Sequence, residues 1–218
     1  MPHYTWDFSV ILNYKEAILK GVLMTLELTA VSLIAGTVLG LIVALVKISK
    51  HSIARAVGVL FVELFTSLPL LVLLIWLFYV LPILTGITIS ALITAMVGLS
   101  LNLAGFSAEI FRAGIMAIPR GQTEAAIMLG ISKWKTLQQI VLPQAIRIIL
   151  PPLSGRYIET IKLTSLASVI AVDELLHTGQ NLISVSFRPL EVYTVIALIY
   201  LAIIIPLTLV LRRFEKCN

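Results

Sequence analysis

Charged, metal-binding and redox-active side chains are scarce in this sequence. Only 12% of its 218 residues are charged, whereas a soluble domain averages about 25%. Cysteine occurs once, at Cys217, and the three histidines are far apart, at His3, His51 and His177. This scarcity excludes an intrachain disulfide and argues against a metal or redox centre supplied by the chain alone. A loop of the form Gly-x-x-x-x-Gly-Lys-Ser/Thr, which would hold nucleotide phosphates, is absent as well, so we expect no cofactor on this chain.

Apolar side chains dominate the composition instead. Hydrophobic residues make up 59% of the sequence, and the mean hydropathy is +1.05. A water-soluble globule is excluded, because too little polar surface remains to cover a core, whereas a bilayer solvates apolar side chains directly. The composition predicts an all-α, polytopic membrane helix bundle with no separate soluble domain. The formal net charge of +5 is then interpreted as orienting charge in the loops rather than as a nucleic-acid-binding signal.

Long uncharged runs predict where the chain crosses the membrane. We expect one transmembrane domain over residues 1–218, with spans at about 21–46, 58–81, 88–108, 153–172 and 192–211. A turn at Pro82, Thr85 and Gly86 separates the second span from the third. The fourth span is charged and is assigned by topology, because it leaves eleven of the sixteen basic residues on the cytoplasmic side. The prediction is five transmembrane helices, with the N-terminus outside and the C-terminus inside.

Two local patterns sit near the first span. Small residues recur every fourth position, at Ser32, Gly36, Gly40 and Ala44, which indicates close helix packing, within the chain rather than in a dimer seam. Ahead of the span, aromatic residues among polar neighbours are typical either of a membrane-interface segment or of a disordered tail: Tyr4, Trp6, Phe8 and Tyr14.

A long cytoplasmic segment, at about 119–143, joins the third span to the fourth. Apolar residues recur at helical spacing before Gly130 and again after it, until Pro143 is expected to stop the pattern. The segment predicts two short amphipathic helices hinged at the glycine. Such helices lie on a lipid surface or dock into a groove of another protein, and the periodicity leaves both open.

The same segment resembles the EAA loop of type I ABC importer permeases. The resemblance is carried by Glu124-Ala125-Ala126, by Gly130, and by Ile140-Val141-Leu142-Pro143. Flanking strings are similar to the branch of that family that imports polar amino acids such as histidine, glutamine, arginine and glutamate: Ser107-Ala108-Glu109-Ile110-Phe111-Arg112-Ala113-Gly114-Ile115, Ile118-Pro119-Arg120-Gly121-Gln122 and Pro151-Pro152-Leu153.

This resemblance implies a permease subunit of a bacterial cytoplasmic (inner) membrane importer, not an enzyme. The implied partners are a cytoplasmic ABC ATPase dimer that binds ATP and Mg, a second permease that is identical or related, and a periplasmic or extracellular solute-binding protein that docks on outer loops including residues 173–191. The amino acid is the substrate. The residues implied to couple ATPase closure to alternating access are Glu124, Ala125, Ala126 and Gly130. The alternative, an ion-driven secondary transporter, lacks the expected matching halves.

Polar residues inside the spans are candidates for the substrate pathway. Arg156, Glu159 and Lys162 are spaced three apart, and because charges facing lipid are unfavourable, we expect them to face the bundle interior together with Asn102 of the third span. An internal salt-bridged scaffold and a substrate-lining role remain open, and for Asn102 a hydrogen bond between helices is the commoner use. Near the base of the third span, the spacing of Glu109 and Arg112 predicts a local ion pair.

Two strings depart from the family pattern. Thr66-Ser67-Leu68-Pro69 stands where relatives commonly have Arg-Gly-Thr-Pro, and Leu163 replaces the acid of Lys-Asp-Thr-Ser-Leu. Both changes remove a charge near the expected pathway, so the sequence favours neither a basic nor an acidic amino acid.

Overall fold

A computed structural model describes the backbone of residues 4–217, with the side chains of residues 212 and 214–217 left out. Every regular element in that range is helical, which confirms the all-helical class. His3 and the side chain of Cys217 lie outside the described residues. The α-helices in chain order are α1 Ser9–Asn13, α2 Lys15–Ile48, α3 Ser52–Ser67, α4 Leu70–Ile75, α5 Leu81–Thr85, α6 Ala91–Met116, α7 Arg120–Met128, α8 Lys133–Thr136, α9 Leu142–Leu163, α10 Leu175–Ser186 and α11 Pro189–Cys217.

The seam between α2 and α6 is the most extensive helix–helix contact among the described residues. All four residues of the small-residue row on α2 are buried. A Cβ added at Gly36 would lie 2.8 Å from Leu103, and one added at Gly40 would lie 3.0 Å from the Ala104 carbonyl oxygen. The missing side chains therefore let the two backbones approach, as small residues do inside membranes. The row packs within the chain, as the sequence predicts.

The predicted span at 58–81 is a pair of helical limbs rather than one straight helix. The limbs, Ser52–Ser67 and Leu70–Thr85, meet at an angle of 103°. The break falls at Pro69, which cannot donate a backbone hydrogen bond, and Leu68 before it is extended (φ −79°, ψ 126°). The second limb includes a π-helical turn at Trp76–Val80 and ends at Gly86, whose φ is +73°. The turn is at Gly86, whereas Pro82 and Thr85, also predicted to form it, lie in the helix that precedes it.

The expectation that Pro143 stops the second loop helix is wrong. Helix α8 runs through a π-helical turn at Leu137–Val141 directly into α9, so helical structure is unbroken from residue 133 to residue 163. In the wide turn, the Leu142 amide donates to the Leu137 carbonyl. Pro143 lies in the first turn of α9, where the loss of one amide donor is absorbed by this irregular pairing.

The membrane-crossing helices are clear at three places. Lys15–Ile48, Ala91–Met116 and Pro189–Leu211 are each long and apolar enough to span a bilayer, and the bent pair at 52–85 makes a fourth if it counts as one span. The predicted fourth span, 153–172, covers the charged end of α9 and a 3-10 segment at Thr164–Ile170. The count of five and the orientation therefore stay predictions.

The stretch 173–191, expected as an outer loop, is folded. Glu174 is fully buried and caps α10, its carboxylate accepting hydrogen bonds from the amides of Leu176 (2.9 Å) and His177 (2.8 Å). The Tyr200 hydroxyl of α11 donates to the same carboxylate at 3.0 Å. Burial raises the pKa of the Glu174 carboxyl, and its hydrogen bonds act against that rise. This cluster ties α10 to α11.

A larger side chain at Gly40 should weaken the bundle. We expect Gly40→Val to lower the free energy of unfolding by about 1–3 kcal/mol, because its side chain would crowd Ala104 and Ser107 across the seam. Gly121→Ala is the matched control, since nothing lies within 4 Å of a Cβ added there. Thermal unfolding of the chain in detergent measures both variants, and a Gly40→Val protein that melts with the wild type would contradict the seam.

Candidate functional site

The predicted glycine hinge is the end of α7. Gly130 has a φ of +77°, the left-handed conformation that glycine adopts without strain. The Ile131 amide donates to the Ala126 carbonyl at 3.0 Å, and the Gly130 amide donates to the Ile127 carbonyl at 2.9 Å. These two bonds form a Schellman motif, which satisfies the last carbonyls of the helix. Nothing lies within 4 Å of a Cβ added at Gly130, so the backbone conformation alone requires the glycine.

Apolar side chains on both sides of this hinge are uncovered. Met128 is 90% exposed, Leu129 79% and Trp134 65%. We call these three residues, together with the half-exposed Ile127 and Leu137, the coupling surface. The helices beneath it are anchored, because the side-chain amide of Gln144 on α9 donates to the side-chain oxygen of Gln122 on α7 at 2.6 Å. An ordered apolar surface at the end of a bundle is typical of an interaction site.

The coupling residues implied by the family resemblance divide in the structure. Glu124 and Ala125 are exposed, and Glu124 borders a cavity of about 450 Å³ between α7 and the lower ends of α2 and α6. Ala126 is buried at 3% exposure. Its methyl group packs inside this chain, whereas the neighbouring Met128 and Leu129 side chains are exposed.

An ion network lies above this end of the bundle. Glu109 accepts from Arg112 at 2.9 Å, so the predicted local pair is present. Its other carboxylate oxygen pairs with Lys47 at the end of α2. The network therefore joins α2 to α6 below their glycine seam. Sequence reasoning missed Lys47, because the contact depends on how two distant helices pack.

The candidate pathway centres on Arg156, which is buried in α9. Its guanidinium donates to the Asn102 side-chain oxygen of α6 and, at 2.7 Å, to Glu159. The guanidinium carbon lies 3.7 Å from the centre of the Phe106 ring, a cation–π contact. The Asn102 amide donates in turn to the Phe65 carbonyl of α3 at 3.1 Å. One buried charge thus joins three helices.

The charged stripe is only partly assembled. Arg156 bonds to both Glu159 and Asn102, but Lys162, which the sequence predicts in the bundle interior, is exposed and makes no ion pair within 4 Å among the described side chains. The Glu159 side chain is 55% exposed although it is bonded to Arg156. The stripe therefore has a buried part at Arg156 and an exposed part at Glu159, which is paired with Arg156, and Lys162. The contact of Phe106 with Arg156 was not predicted from the sequence, since no spacing rule links residues on different helices.

A metal centre has no support in the described part of the chain. No group of three or more histidine, cysteine, aspartate or glutamate side chains stands close enough there to hold an ion.

The chain is similar to known transport proteins over most of its length. A family model described as the binding-protein-dependent transport system inner membrane component matches residues 36–216. The probable amino-acid ABC transporter permease protein YckA of Bacillus subtilis (strain 168) is 41% identical over 204 residues, 91% of this chain and 89% of that protein. The glutamine transport system permease protein GlnP of Escherichia coli (strain K12) is 34% identical over 212 residues, 97% of each chain.

A solved structure also matches. It is described as the crystal structure of an amino acid ABC transporter with histidines, and it aligns with a TM-score of 0.91 and 32% sequence identity, covering 99% of this chain and 100% of that one.

Removing the acceptor of Arg156 should destabilise the protein more than removing the free cation. We expect Asn102→Leu to lower the free energy of unfolding by about 1–3 kcal/mol, because it leaves a buried guanidinium donor and the Phe65 carbonyl unpaired. Lys162→Met should change it by less than about 0.5 kcal/mol. Thermal unfolding in detergent compares the two, and equal effects would contradict the assigned difference in burial.

Proposed function

The chain belongs to the binding-protein-dependent transport system inner membrane component family, and from this premise we propose that it is the permease subunit of an ATP-driven importer of polar amino acids. It is a multi-pass inner membrane protein. The single observation that carries the mechanism is the coupling surface, which exposes apolar side chains from an ordered pair of helices. The ion-driven transporter considered from the sequence is not favoured.

The coupling surface is where an ABC ATPase dimer would grip this subunit. Met128, Leu129 and Trp134 supply an apolar face that fits a groove in a soluble protein. Glu124 and Ala125 lie beside it and are exposed, so they are available to the same partner. ATP and Mg would be bound by that partner, since this chain has no phosphate-binding loop.

Movement at the coupling surface would reach the pathway through one helix. Trp134 and Arg156 stand on the same unbroken helical run from residue 133 to residue 163. Closure of the ATPase that displaces Trp134 therefore displaces Glu159 and Lys162 without passing through a loop. This supports a rigid-body change between inward-open and outward-open states.

The exposed part of the charged stripe, Glu159 and Lys162, suits an amino-acid zwitterion. Glu159 offers an anionic partner for the ammonium group, and Lys162 offers a cationic partner for the carboxylate. Both residues are exposed in the single subunit. In the proposed importer, a second permease, identical or related, would enclose the surface on which they lie. Arg156, held by Asn102 and Phe106, would orient Glu159 rather than contact the substrate.

The proposed topology has five spans, with the N-terminus outside and the C-terminus inside. In this arrangement the segment 153–172 crosses the membrane with its charges paired or facing the pathway. A solute-binding protein would deliver the amino acid to the outer side, and the basic residues concentrate on the inner side.

Substitutions at Gly130 test the coupling role. We expect Gly130→Val to abolish most of the ATP hydrolysis that binding protein and amino acid stimulate, because a β-branched residue resists the left-handed conformation. Gly130→Asn is the matched control and should keep most of the stimulation, since asparagine tolerates that conformation and open space surrounds the position. The measurement is ATPase activity of the reconstituted complex with candidate amino acids.

Two results would contradict the proposal. One is full stimulation by the Gly130→Val complex. The other is uptake of an amino acid into vesicles that contain this chain without any ATPase, which would identify a self-sufficient transporter.

Substitutions in the stripe test the pathway role. We expect Glu159→Gln to change the ratio of uptake between a cationic and a neutral amino acid, because it removes an exposed anionic partner. Lys162→Ala should change the ratio between an anionic and a neutral one. Uptake of radiolabelled amino acids by the reconstituted complex gives both ratios. If each variant transports all substrates in wild-type proportions, the stripe is only scaffolding.

A further inference from the structure

The N-terminal segment is fastened to the beginning of α11 by a buried carboxylate. Glu191 is fully buried, and it accepts hydrogen bonds from the Tyr4 hydroxyl and, at 2.9 Å, from the Asp7 amide. Arg188 lies 3.5 Å from the same carboxylate and donates to the Thr5 carbonyl at 3.0 Å. A buried charge with this many partners holds residues 4–7 in one position.

The fastened segment presents a row of aromatic rings. Residues 4–8 are not helical, and Tyr4, Trp6 and Phe8 occupy alternate positions along them. The Tyr4 and Trp6 ring centres are 5.5 Å apart, and Trp6 and Phe8 stack at 5.7 Å with their planes 2° apart. We call these three residues the aromatic row. All three rings are more than 40% exposed, and Trp6 is 57% exposed.

A fourth aromatic ring is exposed in the turn that precedes α11. Phe187 directly precedes Arg188, has a φ of +55° and is 84% exposed. A non-glycine residue in the left-handed region is uncommon for a bulky side chain and marks a position under constraint. Here the strained turn between α10 and α11 leaves an apolar ring uncovered.

The depth of the aromatic row follows from the helix that holds it. Glu191 is in the first turn of α11, whose residues 189–211 form a membrane-crossing helix. Groups bonded to Glu191 therefore lie at the end of a span, where hydrocarbon gives way to headgroups. Only three residues of that span, Glu191, Val192 and Ile196, are buried within the chain, and its exposed face begins with Leu190 and Tyr193. The aromatic row is hydrogen-bonded to this end of the span through Tyr4 and Glu191.

We propose that the aromatic row is a membrane-interface anchor that binds the headgroup region of the bilayer at the entry of α11. Tyr and Trp rings favour this depth because one part of each ring system is apolar and another is polar. The partly exposed Arg188 guanidinium adds a cation at the level of lipid phosphates. Buried Glu191 fixes the row in place, so the N-terminus and α11 are held at one depth.

Depth-dependent quenching of Trp6 fluorescence tests the anchor. The full chain with Trp76→Phe and Trp134→Phe keeps Trp6 as its only tryptophan, and it is reconstituted into phosphatidylcholine vesicles with bromine either high on the acyl chains or near their ends. We expect shallow bromine to quench Trp6 at least about twofold more than deep bromine. The matched control keeps only Trp134, on the coupling surface.

Substitutions at Tyr4 and Glu191 test the role of the buried Glu191 carboxylate. Tyr4→Phe keeps the ring but removes the hydroxyl that donates to Glu191, and it should shift Trp6 emission to longer wavelength and reduce quenching by shallow bromine. Glu191→Ala, which also releases the Asp7 amide, should do so more strongly. Circular dichroism of each variant checks that the helices persist.

Three results would overturn the anchor. The first is Trp6 quenching by shallow bromine no greater than that of the Trp134 control. The second is stronger quenching from deep bromine, which would bury Trp6 among the acyl chains. The third is an emission shift of Trp6 only on addition of the solute-binding protein, which would assign the aromatic row to a soluble partner.

Discussion

A single buried cation sets the arrangement of the inner bundle. Arg156 stands on a helix that the protein places among apolar neighbours, and such a charge is tolerated only with partners inside the protein. Asn102, Phe106 and Glu159 supply those partners. Because Asn102 also bonds to the backbone of α3, the position of α3 and α6 relative to α9 follows from satisfying one guanidinium. The exposed Glu159 carboxylate is then oriented by the buried Arg156 guanidinium.

Much of the fold could be predicted from the sequence because membrane solvation acts on composition directly. The helical class, the turn at Gly86 and the small-residue face of α2 all follow from local patterns. The break at Pro69 and the continuous helix through Pro143 do not follow from such local patterns. Both prolines follow a leucine, yet one ends a helix and the other lies in a first turn. What separates them is the backbone pairing of the preceding turn, which a local pattern does not specify.

The candidate site was predictable in its motif and only partly in its contacts. The spacing of three between Arg156 and Glu159 gives their ion pair, and Gly130 has the expected left-handed backbone. The burial of Ala126 was not predictable, because a methyl group suits a partner's cleft and the chain's own interior equally well. The buried carboxylates Glu174 and Glu191 were missed as well. Their partners are supplied by segments far away in the chain, so no neighbouring residue marks them.

The π-helical turn at Leu137–Val141 has a geometric effect on everything beyond it. Its hydrogen bonds close over one more residue than those of an α-helix. Since each residue advances about 100° around a helix axis, the additional residue rotates the far part of the run against the near part. The angular offset between the side that carries Trp134 and the side that carries Glu159 is thus set by this one wide turn. If this turn became a regular α-helical turn, Glu159 and Lys162 would project from the helix axis in a different direction relative to Trp134, with no change in sequence.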